Sequence, residues 1–215
     1  MLVACWSSKG GAGTTVVAAA LAVLLARREP AGALLADLAG DGPAALGLPE
    51  PASAGLAGWL AAGADVPADA LGRLEVPAGD RLGVLPRGSG PLVTDRSHVL
   101  AALLAADPRP VVADCGSDPS GVAFDVAAAA TRSILVTRPC FLALRRVVTA
   151  ALRPSEVVLV TEPGRSLTRI DVEDCVGAPV SAEVALDPSV ARAVDAGLLA
   201  SRLPRGLAKD LARAA

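Results

Sequence analysis

The sequence predicts an α/β fold, a mostly parallel sheet covered by helices on both faces. Three observations carry this. Five apolar runs, LVACW (2–6), ALLAD (33–37), PVVADCG (110–116), SILVT (133–137) and EVVLVT (156–161), are continuous rather than alternating, as strands buried on both faces are. Longer helical patterns separate them, the order that builds parallel sheets. With 215 residues, 53% hydrophobic and 20% charged, the chain suits one domain spanning 1–215 with a substantial core and is not a disordered polymer.

LVACW runs into the glycine-rich SSKGGAGTT (7–15), then into an apolar helix from about Thr15 to Arg28. ALLAD is bounded by Gly32 and Gly40, and GDGPAALGLPEPAS (40–53) reads as a loop. SAGLAGWLAAG (53–63) and PADALGRL (67–74) read as short helices parted at Pro67, with Trp59 either in the core or anchoring an interface. LGVLP (82–86) is a further strand, and TDRSHVLAALLAA (94–106) a helix capped by Thr94 or Asp95. FLALRRVVTAAL (141–152) is the helix between SILVT and EVVLVT; APVSAEVA (178–185) is a last edge strand, followed by helices near 188–196 and 204–214.

A net charge of −2 gives no overall drive toward nucleic acid. One local excess, Arg192, Arg202, Arg205, Lys209 and Arg213 against Asp195 and Asp210, is expected to be a solvated face rather than a DNA-binding one. The terminal GLAKDLARAA is short and weakly amphipathic, which suits packing better than membrane binding. Cys5, Cys115, Cys140 and Cys175 form no CxxC pair and read as small buried hydrophobes in a reducing compartment; His98 alone builds no metal site and reads as a surface residue. The longest uncharged apolar run, Val16–Ala26, is too short to span a bilayer, and Met1 leads straight into a strand without a leader pattern, so a cytoplasmic location is expected.

The chemistry concentrates at the carboxyl ends of the strands, where open α/β sheets gather ligands. There lie the glycine loop, Asp37 after the second strand and Asp114 after PVVAD. Glycines free successive N–H groups to face one anion at a helix N-terminus. Against the phosphate-loop pattern GxxxxGK[ST], Ser8 takes the first glycine's place, Gly13 matches the second, Thr15 offers the magnesium hydroxyl, and Thr14 replaces the lysine. By itself SSKGGAGTT therefore suits either a phosphate site or a tight turn.

KGGAGTT resembles the deviant Walker A loop KGGxGK[ST] of the ParA/MinD/CpaE (TadZ-like) group of P-loop ATPases, and the likeness extends along the chain. It implies a single-domain P-loop NTPase fold and a nucleotide-sandwich homodimer holding ATP and Mg2+. Ser8, Lys9, Gly10, Gly11, Ala12, Gly13, Thr14 and Thr15 would surround the phosphates, with Lys9 reaching the partner's nucleotide. Asp37 matches the first aspartate of the group's DxD, the second falls on Ala39, and Asp41 is the residue placed to compensate. Thr15, Asp37 and Asp114 would serve magnesium, partly through water, and Asp187 and Pro188 fall in the turn near the base. An asparagine often found near the base is missing from VLVTEPG.

The resemblance implies an ATP-binding, dimerising spatial organiser, working in septum placement or polar pilus assembly with a partner protein. Loss of the lysine and of the water-orienting aspartate implies weak or absent hydrolysis, because phosphoryl transfer depends on positioned charge. The alternatives are a nucleotide-free pseudo-ATPase platform and an ATP-dependent amide-forming synthetase.

Overall fold

The structure, a computed structural model, describes residues 1–49, 54–63 and 66–215. β1 (Leu2–Ser7) passes through the glycine loop into α1 (Thr14–Arg28), then β2 (Ala33–Asp37), α2 (Gly42–Leu46) and α3 (Gly55–Ala61). A 3-10 segment, Ala68–Leu74, precedes β3 (Val76–Pro77) and β4 (Leu82–Leu85). Next come α4 (Ser97–Ala106), β5 (Val111–Ser117), α5 (Val122–Ala129), β6 (Arg132–Thr137) and α6 (Phe141–Thr149). β7 (Glu156–Thr161), α7 (Arg169–Val176), β8 (Val180–Ala185), α8 (Pro188–Asp195) and α9 (Arg205–Leu211) complete the order.

The strands form one sheet, β3-β4-β2-β5-β1-β6-β7-β8, in which every pairing is parallel except that of β3 with β4. β3 holds only two residues, one of them Pro77, which suits an edge position. The connection from β1 leads to β2 on one side and that from β6 to β7 on the other, so the chain reverses direction beside β1. That reversal opens a crevice at the carboxyl ends of the strands.

Alternation along the buried strands feeds two cores. Val3, Cys5, Leu35, Val112, Ile134 and Val158 face α1 and α9, whereas Leu2, Ala4, Trp6, Leu34, Leu135 and Leu159 face α3 to α7. α1 is buried almost all round because the sheet, α2 and α9 enclose it, and its run of alanines lets the backbone lie close to β5. Trp6 meets the need of its buried indole N–H by donating to Ser133 Oγ at 2.9 Å. The terminal segment packs as expected: Leu207, Leu211 and Ala214 are buried, and Arg28 donates to the carbonyls of Ala212 and Ala215. No helix among the described residues is long and apolar enough to cross a membrane.

Several expectations are corrected. α4 starts at Ser97 without a side-chain cap; Thr94 contributes only its carbonyl, to the Ser97 N–H, and the Arg96 guanidinium lies over the Trp59 ring, 4.0 Å from its centroid. Trp59 is a core residue, 4% exposed. Cys5 and Cys115 are buried as expected, but Cys140 is half-buried and Cys175 exposed. The stretch expected to be a loop contains α2, opened by Pro43 and closed by the left-handed Gly47; its last residues, 50–53, and the first residue expected for the next helix, 53, lie outside the described residues. α5 and α7 were not anticipated. α7 buries only Val172, so it has no apolar stripe to detect, although its capping box of Thr168 and Asp171 is a sequence signal.

Leu35 is fully buried in a central strand, so Leu35→Ala is expected to lower the unfolding free energy by about 2–5 kcal/mol, read from urea denaturation with an unchanged slope.

Candidate phosphate-binding site

β1 ends in the loop 8–13, whose conformation requires glycine at two positions: Gly11 has φ +80° and Gly13 φ +90°. Gly13 is the N-cap of α1, and the helix has neither a side-chain cap nor an acidic residue in its own first turn to offset the N–H groups at its positive end. The loop is fixed from behind. Ser8 is buried and its hydroxyl donates to the Ala143 carbonyl of α6 at 2.9 Å. The Asp118 N–H reaches across to Ser7 O at 2.7 Å, tying the ends of β1 and β5 together.

Gly10, Gly11 and Ala12 form a wall between two cavities. The larger, about 800 Å³, is lined on one side by Gly10 to Thr15 and on the other by Ala39, Asp41, Arg87, the end of β5 from Cys115 and the residues after it to Gly121. The smaller, about 340 Å³, carries Ser8, Lys9, Arg138, Cys140 and Arg165. Lys9 is exposed there. Cys140 is held below the usual thiol range by the amides of Ala143 and Leu142 and by the cations Lys9 and Arg165. All eight loop residues singled out in the sequence, Ser8 to Thr15, thus border one or both cavities.

Beneath the loop lie two carboxylates in register, Asp37 on β2 and Asp114 on β5, both 0% exposed. Asp37 Oδ1 accepts the N–H groups of Ala39 and Gly40, and Oδ2 that of Gly42. Burial raises its pKa, and these three amides oppose the rise. A Cβ at Gly42 would lie 2.9 Å from the Asp37 carboxyl carbon, so glycine there leaves room for the carboxylate. Asp37 therefore anchors its own loop through these amides, and the wall of the larger cavity carries Ala39 and Asp41.

Asp114 is less satisfied. Oδ1 accepts the Gly116 N–H at 3.0 Å, whereas Oδ2 is buried with no hydrogen-bond partner among the described residues. Burial pushes its carboxyl up to about 6, partly countered by the nearby Thr15 hydroxyl, which does not close a full hydrogen bond, and by the Gly116 amide; Asp37 and Asp41 add to the rise. A buried acceptor without a donor is rare and costly, and it fits a site that completes its coordination with a cation-bound water. Thr15 and Asp114 are thus the residues with the right chemistry to hold magnesium, an oxygen-seeking cation.

Asp187 and Pro188 lie apart from both cavities. Asp187 caps α8 by accepting the N–H and hydroxyl of Ser189, and Pro188 begins that helix. Of the basic C-terminal residues, Arg192, Arg202 and Arg205 line one further concavity, away from the loop. The sequence reading missed Arg87 and the loop 117–121. Arg87 stands just past the end of a predicted strand, the same positional signal that singled out Asp37 and Asp114.

No protein-family model matches the chain, and no curated protein matches it by sequence. Solved structures do. A ParA family ATPase from Chlorobium tepidum TLS is similar at 19% identity and TM-score 0.81, covering 98% of this chain and 96% of that one. The septum site-determining protein MinD with Mg-ADP from Pyrococcus horikoshii OT3 gives 20% identity and TM-score 0.79, over 99% and 93%. The MinC:MinD cell division protein complex of Aquifex aeolicus gives 17% and 0.80, over 99% and 95%. The chain has the α/β fold of the ParA and MinD ATPases.

The raised carboxyl of Asp114 has a thermodynamic signature. In the folded state it takes up its proton near pH 6, above the unfolded value near 3.8, so it costs stability above pH 6 and the cost fades as pH falls toward 4. Asp114→Asn is expected to gain on the wild type by about 2–3 kcal/mol between pH 4 and pH 7.5, measured as the difference between their unfolding free energies in the absence of nucleotide.

Proposed function

We propose that this chain binds ATP with magnesium, dimerises around it and hydrolyses it slowly or not at all, acting as a positioning protein of the MinD/CpaE kind. The observation that carries the reading is the unpartnered Oδ2 of Asp114 beneath a left-handed glycine loop at an uncapped helix N-terminus. The fold agrees, and one neighbour of that fold, a MinD, was solved with Mg-ADP.

In this reading the N–H groups of Gly10 to Thr15 hold the phosphates, and Lys9, exposed at the loop's tip, is free to meet the nucleotide of a second copy. Thr15 offers its hydroxyl and Asp114 its free oxygen to magnesium, which when bound neutralises charge on the phosphates. Asp37 keeps the 38–42 loop in place through its three amide bonds. At position 39 a methyl group faces the cavity where a carboxylate would orient water, and Asp41 shares that wall. Slow turnover follows from these losses, since positioning and charge supply most of phosphoryl-transfer catalysis.

Septum placement and polar pilus assembly are the proposed settings, in the cytoplasm, with a protein partner; a MinD of this fold was solved in complex with MinC. The competing reading, a nucleotide-free platform, draws support from Thr14 in the lysine's place.

Titration of the purified chain with ATP and Mg2+, with molecular mass recorded in parallel, separates these readings. Binding accompanied by doubling of the mass is expected, with turnover well below the ~1 s⁻¹ at which ordinary enzymes begin. Lys9→Ala is expected to bind nucleotide but remain monomeric. Silence at millimolar ATP would establish the platform reading, and brisk magnesium-dependent turnover would refute slow hydrolysis.

A further inference from the structure

The loop lacks the lysine that would meet the terminal phosphates, and Thr14, buried in its place, carries no charge. The cavity nevertheless contains one cationic side chain among the described residues, Arg87, from the loop after β4. Lys9 and Arg138 border the smaller cavity on the other side of the glycine wall. We propose that Arg87 supplies the positive charge that Thr14 withholds, binding the terminal phosphates of a nucleoside triphosphate from the wall opposite the glycine loop. This rests on the nucleotide-binding reading above.

Three observations support the assignment. First, the charge is uncommitted: no carboxylate lies within 4.0 Å of the Arg87 nitrogens among the described residues, whereas Arg109, Arg132, Arg165 and Arg169 are each in ion pairs. Asp41 and Asp118, the carboxylates that share this cavity's lining, make no ion pair with it among the described residues.

Second, the root of the side chain is fixed. The carbonyls of Pro86 and Arg87 accept the N–H groups of Leu56 and Ala57, each at 2.9 Å, and so take up two donors at the start of α3. Gly55 and Gly88 approach so closely that a Cβ on Gly55 would run into Pro86 O and one on Gly88 into Ala54 O. Neither position tolerates a side chain, and the segment is clamped backbone to backbone.

Third, the stem has a track. Arg87 is half-buried, and its Cδ lies 3.5 Å from where a Cβ on Gly40 would stand. Gly40 is also one of the residues whose amide holds Asp37, so the same loop that satisfies the buried carboxylate supports the arginine stem. A guanidinium presented from a fixed base matches a phosphate through paired N–H groups, which a lysine cannot do. The charge is thereby moved from the helix N-terminus to the opposite wall rather than lost.

The test is isothermal titration of Mg·ATP into the full chain, for the wild type, Arg87→Ala, Arg87→Lys, Thr14→Lys and the double variant Arg87→Ala with Thr14→Lys. Arg87→Ala is expected to weaken binding about 10- to 100-fold, the loss of one charge-assisted contact. Thr14→Lys in the same chain is expected to restore affinity to within a few-fold of the wild type, since it returns the charge by the other route. The backbone bonds of residue 87 do not depend on its side chain, and Arg87→Lys keeps the stem over Gly40 should the alanine variant fold poorly; it is expected to bind between wild type and alanine. Equal affinity of wild type, Arg87→Lys and Arg87→Ala, or a Thr14→Lys gain that is independent of residue 87, would overturn the role of Arg87 while leaving the nucleotide site standing. A wild type that binds no ATP at millimolar concentration would overturn both.

Discussion

Parallel pairing of β2 with β5 puts Asp37 beside Asp114 at zero exposure, and the architecture of the site follows from that adjacency. Two like charges out of water must be solvated by the protein or neutralised. Asp37 is solvated by three amides, which bends residues 38–42 into a tight turn and requires Gly42 to have no side chain. Among the described residues Asp114 receives one amide, and its remaining oxygen is left without a donor below the glycine loop. The price of that arrangement is a destabilised charged state, which makes sense where a cation-bound ligand completes the coordination.

The loop above is held with equal economy. Ser8, standing where a first glycine would be, uses its hydroxyl to fasten the loop to α6, and Asp118 links β5 to β1. The remaining glycines are then free to turn N–H groups toward an anion at the start of a fifteen-residue helix with no acidic residue in its first turn. The changes at Thr14 and Ala39 leave this scaffold intact. In the proposed reading they take away a charge and a carboxylate that would act on the transferred phosphate, so that binding and hydrolysis would be separable.

Much of this was legible in the sequence because the signals were local. Continuous apolar runs identified the central strands, and the order strand, glycine loop, apolar helix located the loop between β1 and α1. α7 escaped because it buries a single valine and is announced only by its cap, and α4 begins at Ser97, beyond Thr94, with Arg96 lying over Trp59. The position of Asp37 was legible but its bonding was not, since its partners are backbone amides that carry no residue signature. Arg87 lies far along the chain from the glycine loop and comes opposite it only through the pairing of β4 with β2. Asp187 is bonded as a helix cap, a local role that its sequence neighbours Pro188 and Ser189 also suggest.

The central claim is that the site retains nucleotide better than it cleaves it. Equilibrium dialysis of the purified chain against Mg·ATP, followed by chromatography of the nucleotide released on denaturation, tests it most directly. The account predicts close to one nucleotide per chain, recovered as intact ATP after prolonged incubation. Recovery predominantly as ADP, or no retained nucleotide at millimolar ATP, would contradict it.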